Sequence, residues 1–194
     1  MLTAEGKKYK EDLEARIAAR VEDFKIEQQE LLEELAEAGV QVDIVNRLPS
    51  VSTSDYRHAI PILMKHLRRN YSDGTLASLA RSLATKEAQE YWDEFVAMYR
   101  ESSKRESNGA GDVSMALAAA VAASCPPKRM SELIDLLRDR RLPHRAMLLG
   151  PLRKKRGKDA EIAHVLDDLR HDPELTKEIN SWKVLPSQVR PMTH

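Results

Sequence analysis

The chain predicts an all-α fold, a right-handed superhelix of about four helical hairpins closed at one end by a long N-terminal helix. Three observations carry this expectation. One apolar frame, i, i+3, i+4, i+7, recurs at Ile60/Leu63/Met64/Leu67, Trp92/Phe95/Val96/Tyr99, Met130/Leu133/Ile134/Leu137 and Ile162/Val165/Leu166/Leu169. That spacing is one face of a helix, and the offsets of 32, 38 and 32 residues are the period of tandem helix pairs. Composition agrees: Leu, Ala, Glu, Arg and Lys lose little side-chain freedom in a helix, aromatics are only 5 % of the chain, and Val-Ile-Thr alternation of strand length is nearly absent.

In order, residues 3–38 predict one long helix. Tyr9, Leu13, Ile17, Val21, Phe24, Leu31 and Leu35 form its stripe, Gln28 is a polar break, Thr3 is the N-cap and Gly39 the left-handed stop. Because heptads are not sustained, the stripe is expected to cover the apolar end of the array, with assembly through this helix as the alternative. Residues 40–55 read as a short buried helix from Asp43 and a Ser/Pro-rich linker, after which Asp55 is expected to N-cap a helix over 56–69 with Pro61 near its start. Partner helices follow over 74–85, 87–101 and 112–124, the last two joined by a Gly/Ser-rich turn at 102–111. The third hairpin starts at Pro126-Pro127, returns over 144–156 and stops at Gly157. The fourth runs from Asp159 to about Trp182, leaving 184–194 as a flexible tail. The whole is expected to be one domain, with the repeats over 56–183.

Composition also narrows the function classes. Net charge is zero, which argues against a general binder of nucleic acid or anionic membrane. A single cysteine, Cys125, gives no internal disulfide and no thiol zinc cluster. The charged N-terminus lacks a signal-peptide pattern, and the apolar stretch Val113–Cys125 is too short to span a bilayer. A cytoplasmic protein without cofactor is expected.

Some residues carry a family resemblance. Ile60-Pro61-Ile62-Leu63, Asp73 before Leu76 and Ala80-Arg81-Ser82-Leu83-Ala84, Asp112 before Val113, and Arg145 early in a second helix together resemble HEAT repeats. The third turn, built on Leu142-Pro143, departs from that pattern. Leu31-Leu32-Glu33-Glu34-Leu35, with Gly39, Asp43-Ile44-Val45-Asn46 and Ala59-Ile60-Pro61, is similar to small bacterial HEAT-repeat proteins of unassigned function. The resemblance spans about 31–183 and implies a binding surface without catalysis; HEAT-like folds serve many roles.

Charge is unevenly placed. Residues 128–158 hold eleven Lys/Arg against three Asp/Glu, residues 1–39 hold six against eleven, and 159–194 hold four against seven. The basic block is either a solvated face or a site for an acidic protein surface or a phosphate backbone. The expected function is a protein-binding scaffold or adaptor, including one that neutralises a bacterial toxin, with nucleic-acid binding through 128–158 as the alternative. If second helices line a concave side, as in HEAT arrays, the contacts are Arg81, Asp112 and His144, with Arg145, Arg153, Lys154 and Arg156 from the basic block. Reversing Arg145 and Arg153 is then expected to weaken binding and leave the thermal midpoint nearly unchanged.

Catalytic readings are thinner. A DNA glycosylase needs a carboxylate beside aromatic residues in a basic groove, whereas Trp92 and Tyr99 occupy core positions of their frame. His164, Asp168 and His171 share a helical face that could hold a metal, but Asp172-Pro173 makes His171 a helix-end residue. Cys125 has no adjacent histidine to activate it.

Overall fold

The computed structural model describes residues 3–102 and 112–182, and among them every regular element is helical. The expectations for the turn at 103–111 and the tail at 184–194 lie outside the described residues.

Helix α1, Ala4–Glu27, begins where Thr3 Oγ1 accepts from the Gly6 amide at 3.2 Å. It ends at Gln28 (φ −95°, ψ 5°), and α2 follows over Gln29–Glu37. The single helix expected over 3–38 is therefore two. The polar break explains it: Gln28 is 1 % exposed, its Nε2 donates to Thr75 Oγ1 at 3.0 Å, and its Oε1 accepts from the Val45 amide at 2.9 Å. Gly39 stops α2 at φ +84°. The Val40 amide donates back to Leu35 O at 2.8 Å and the Gly39 amide to Ala36 O at 2.9 Å, satisfying two terminal carbonyls.

Covering of the array by the whole N-terminal helix needs correction. Leu31 and Leu35 of α2 are buried, but Tyr9, Leu13 and Ile17 of α1 remain 71 %, 42 % and 54 % exposed. The overhanging half of α1 covers nothing among the described residues.

A 3-10 turn at Val45–Ser50 buries Val45 and Leu48. Then α3, Thr53–Tyr56, forms where a linker was expected; Asp55 lies inside it and does not cap the next helix. That helix, α4, covers Ile60–Leu67, and α5 covers Asp73–Ser82 under the Ser72 cap. Next come α6, Trp92–Ser102, and α7, Val113–Ser124, whose Asp112 cap accepts from the Met115 amide at 2.9 Å. Beyond Cys125 lie α8, Met130–Arg138, then a 3-10 turn Arg145–Leu149 leading into α9, Gly150–Lys155. The last two are α10, Ala160–Leu169, capped by Asp159, and α11, Pro173–Asn180, capped by Asp172.

The helix expected over 144–156 is thus a tight turn followed by a short helix, and 56–69 shortens in the same way behind Arg57–Ala59. Proline accounts for both. Pro61 and Pro151 lack an amide hydrogen and crowd the carbonyl four residues back, so the preceding turn tightens to the 3-10 form.

The four apolar frames all turn inward. Every member is buried except Val96 and Met130, which pack partly buried on the same core. At its centre α7 touches α5, α6, α9 and the Arg145–Leu149 turn. Its inward residues Ala116, Ala118 and Ala120 let these neighbours approach closely, while Leu117 and Val121 fill the gaps. Among the described residues no helix is long and apolar enough to cross a membrane.

Candidate functional site

The basic block folds as a 3-10 turn at Pro127–Arg129, α8, the Arg145–Leu149 turn and α9. Its eleven cations do not make one free patch. Arg129 pairs with Asp93 and, at 2.6 Å, with Glu132, while its guanidinium lies 5.1 Å over the buried Trp92 ring. Arg141 clasps Asp139 at 2.8 Å and pulls that carboxyl down to about 2. Arg140 Nε donates to Asp172 at 3.1 Å.

Arg145 is placed inside the molecule, 3 % exposed. Its Nη1 donates to Asp172 Oδ2 at 3.1 Å and to Leu137 O at 2.8 Å, and Nη2 donates to Asp172 Oδ1 at 3.0 Å. The Nε and backbone amide reach the two oxygens of Glu174 at 2.9 and 2.7 Å. These bonds occupy its donors within the chain, so Arg145 is not a surface contact. The expectation that its reversal spares thermal stability is likewise corrected.

The other candidates fall into separate groups. Arg81 is exposed in the last turn of α5. Asp112 and His144 come together, with His144 Nε2 2.6 Å from Asp112 Oδ2, and His144 takes the left-handed backbone (φ 56°) that starts the 145–149 turn. Arg153 and Arg156 each lie 5.5 Å over the ring of the buried Trp182, and Arg153 also approaches Glu178 at 3.8 Å. These two guanidiniums therefore clamp α9 to the end of α11.

Lys154 turns elsewhere. With Lys155 it borders a groove of about 410 Å³ between α7, α8 and α9. Its apolar lining includes Ala119, Ala122 and Ala123 of α7, Met130 at the head of α8, and Met147 and Pro151 opposite. Met147 is 44 % exposed, and neither lysine has an ion-pair partner among the described residues. The alanines make the depression because α7 has no long side chain on that side. Unbranched methionines adapt to irregular apolar surface, and two uncompensated ammonium groups attract carboxylates. The sequence held half of this signal: the alanine run indicated close packing, but which alanines face outward depends on where α9 docks.

The Cys125 thiol, which lines the groove, is not activated as a nucleophile. Burial pushes the Cys125 thiol up to about 11, so it is protonated at neutral pH. Trp92 Nε1 donates to Val121 O at 3.1 Å and Tyr99 Oη to Pro143 O at 2.5 Å, placing both aromatics in the core rather than on a surface. His164, Asp168 and His171 are exposed, and among the described residues no three His, Cys, Asp or Glu side chains converge on a metal position. No protein-family model, no curated protein and no solved structure matches the chain, so the groove has to be read from its own chemistry.

Proposed function

We propose that this chain is a non-catalytic binding scaffold, with its helices arranged as a HEAT-like superhelix, and that the α7–α9 groove takes an acidic amphipathic segment of a partner protein. The supporting observation is the groove itself: an alanine and methionine trough with Lys154 and Lys155 on its border. A helical segment carrying apolar residues at i, i+3 and i+4 would fill the trough, with Asp or Glu on its flank meeting the lysines. A phosphate backbone is a poorer match, because Arg129, Arg140, Arg141 and Arg145 already hold carboxylates of this chain, which reduces the positive charge it would meet.

The test is affinity capture from native lysate with and without nuclease, comparing the wild-type chain with Lys154→Glu/Lys155→Glu. A protein prey that survives nuclease and falls at least about tenfold with the double variant supports the reading. Prey lost on nuclease treatment, or recovery unchanged by the double variant, overturns it. Neither lysine is buried, so the thermal midpoint should hold within about 1 °C, corresponding to less than 0.5 kcal/mol.

A further inference from the structure

The overhanging half of α1 carries a second surface. Tyr9, Leu13 and Ile17 share one side of α1 with the half-buried Val21 and Phe24, yet they stand exposed beyond the body. Lys10 and Glu14, 3.6 Å apart, lie along one flank of this stripe; Asp12 and Arg16, also four residues apart, lie along the other. We propose that α1 pairs antiparallel with α1 of a second copy of this chain, centred on Leu13. Leu13 then meets its counterpart, and Tyr9 packs on the second copy's Ile17 at both ends.

Sterics set the direction. The body lies on the stripe side of the helix from about Val21 onward, so a parallel second copy would have to occupy the space that holds α2's own contacts. An antiparallel copy meets the overhang along its length and reaches the body only with its first residues. Its first residues arrive level with Arg20 and Asp23, where a crevice of about 530 Å³ opens between α1 and the start of α5 at Ser72–Gly74.

The apolar stripe sets the register, being symmetric about Leu13, and the flanking charges are compatible with it. A two-fold axis perpendicular to both helices brings each flank against its own copy. Centred on Leu13, Lys10 faces the second copy's Glu14, and Asp12 faces the second copy's Arg16. Each pair is offset by two residues, about 3 Å along the axis, giving four unlike cross-pairs by symmetry against two like ones, Asp12–Asp12 and Glu14–Glu14, at the same offset. Centring on residue 12 instead opposes Asp12 to itself, and centring on residue 14 opposes Glu14 to itself; like charges directly opposed are unfavourable. The overlap, residues 5–21, is about 24 Å long and covers less than the roughly 1,600 Å² of a standard stable interface, so the association is reversible.

Sedimentation velocity of the full chain from about 5 to 500 μM tests this. The expected result is a concentration-dependent shift from monomer to dimer that Leu13→Arg/Ile17→Arg abolishes; both side chains are already exposed, and circular dichroism confirms retained helix. Lys10→Glu should weaken dimerisation at least about fivefold, and Lys10→Glu/Glu14→Lys should restore it to within about twofold, because the exchanged pair is again complementary across the axis. Monomer throughout, a dimer indifferent to Leu13→Arg/Ile17→Arg, or no restoration by the exchange overturns the proposal. So does binding of the stripe to phosphatidylserine vesicles by a chain that stays monomeric.

Discussion

Replacing Arg145 by Met removes the cation from the most heavily bonded buried position in the chain. The aliphatic part of the site stays filled, so the loss is mainly polar. Asp172, 7 % exposed, loses both guanidinium bonds, the Leu137 carbonyl loses a donor, and Glu174 loses its Nε contact. Removing one partner of a buried ion pair costs about 3–5 kcal/mol. Asp172 keeps the Arg140 contact at 3.1 Å and the Glu174 amide at 3.1 Å, which favours the lower end, about 3 kcal/mol. For a chain of this length that lowers the thermal midpoint by about 6–12 °C.

Urea unfolding of Arg145→Met, Asp172→Asn and the double variant measures it as a cycle. The double variant should be less damaged than the sum of the two singles, because Asn at 172 removes the stranded charge. Arg145, foremost among the causes, holds the Asp172 carboxyl below its ordinary value of 3.8. Its contribution is therefore present above that pH and fades as pH falls through the depressed value, and the Arg145→Met deficit should shrink there. A loss under about 0.5 kcal/mol at pH 7 for Arg145→Met would refute the reasoning, since that is the range of an ordinary surface change.

Two further perturbations probe the other end of the molecule. His66 is fully buried, with Nδ1 2.7 Å from Tyr71 Oη and Nε2 3.4 Å from Glu34 Oε2 without a hydrogen bond's alignment. Burial outweighs Glu34 and pushes the imidazole below its ordinary 6.5, so the unfolded chain takes up this proton first. Stability should be full above about pH 6.5 and decline as pH drops through the lowered value. His66→Gln should flatten that decline in urea midpoints measured between pH 7 and 5, and an unchanged slope would show that His66 is not its source. Gln28→Leu strands the Val45 amide and removes the donor to Thr75; an unfolding free energy lower by about 1–3 kcal/mol is expected, and a neutral result would mean water replaces both bonds.

The local rules of the sequence located most of the helices. Periodicity found all four core frames, and cap chemistry found Thr3 and Gly39 though it misplaced a cap at Asp55, because these signals depend on residues within one or two turns. What escaped depends on partners far along the chain. Arg145 reads as one more cation in a basic run; its burial follows from Asp172 and Glu174, 27 and 29 residues later. Gln28 reads as a defect in a stripe, whereas its partners are Val45 and Thr75. The exposed half of α1 has the same apolar spacing as the half-buried end at Val21 and Phe24, and spacing alone does not tell where the body ends.

Those two missed residues have a common physical role. A repeated i, i+3, i+4, i+7 face packs nearly as well one helical turn out of place, and the alanines of α7 make its contacts close without making them specific. Hydrogen bonds have no such tolerance, because a shift of one turn leaves a buried donor or acceptor unpaired. Gln28 ties α1 and α2 to the Val45 turn and α5 on one side of α7, and Arg145 ties the α8–α9 connection to α11 on the other. Each carries a desolvation cost that its bonds offset, so what sets it apart from an apolar contact is the register it fixes. Met147 lies two residues beyond Arg145 in the same tight turn, opposite the outward alanines of α7. The shape of the proposed binding groove therefore depends on a buried ion pair that makes no contact with the groove itself.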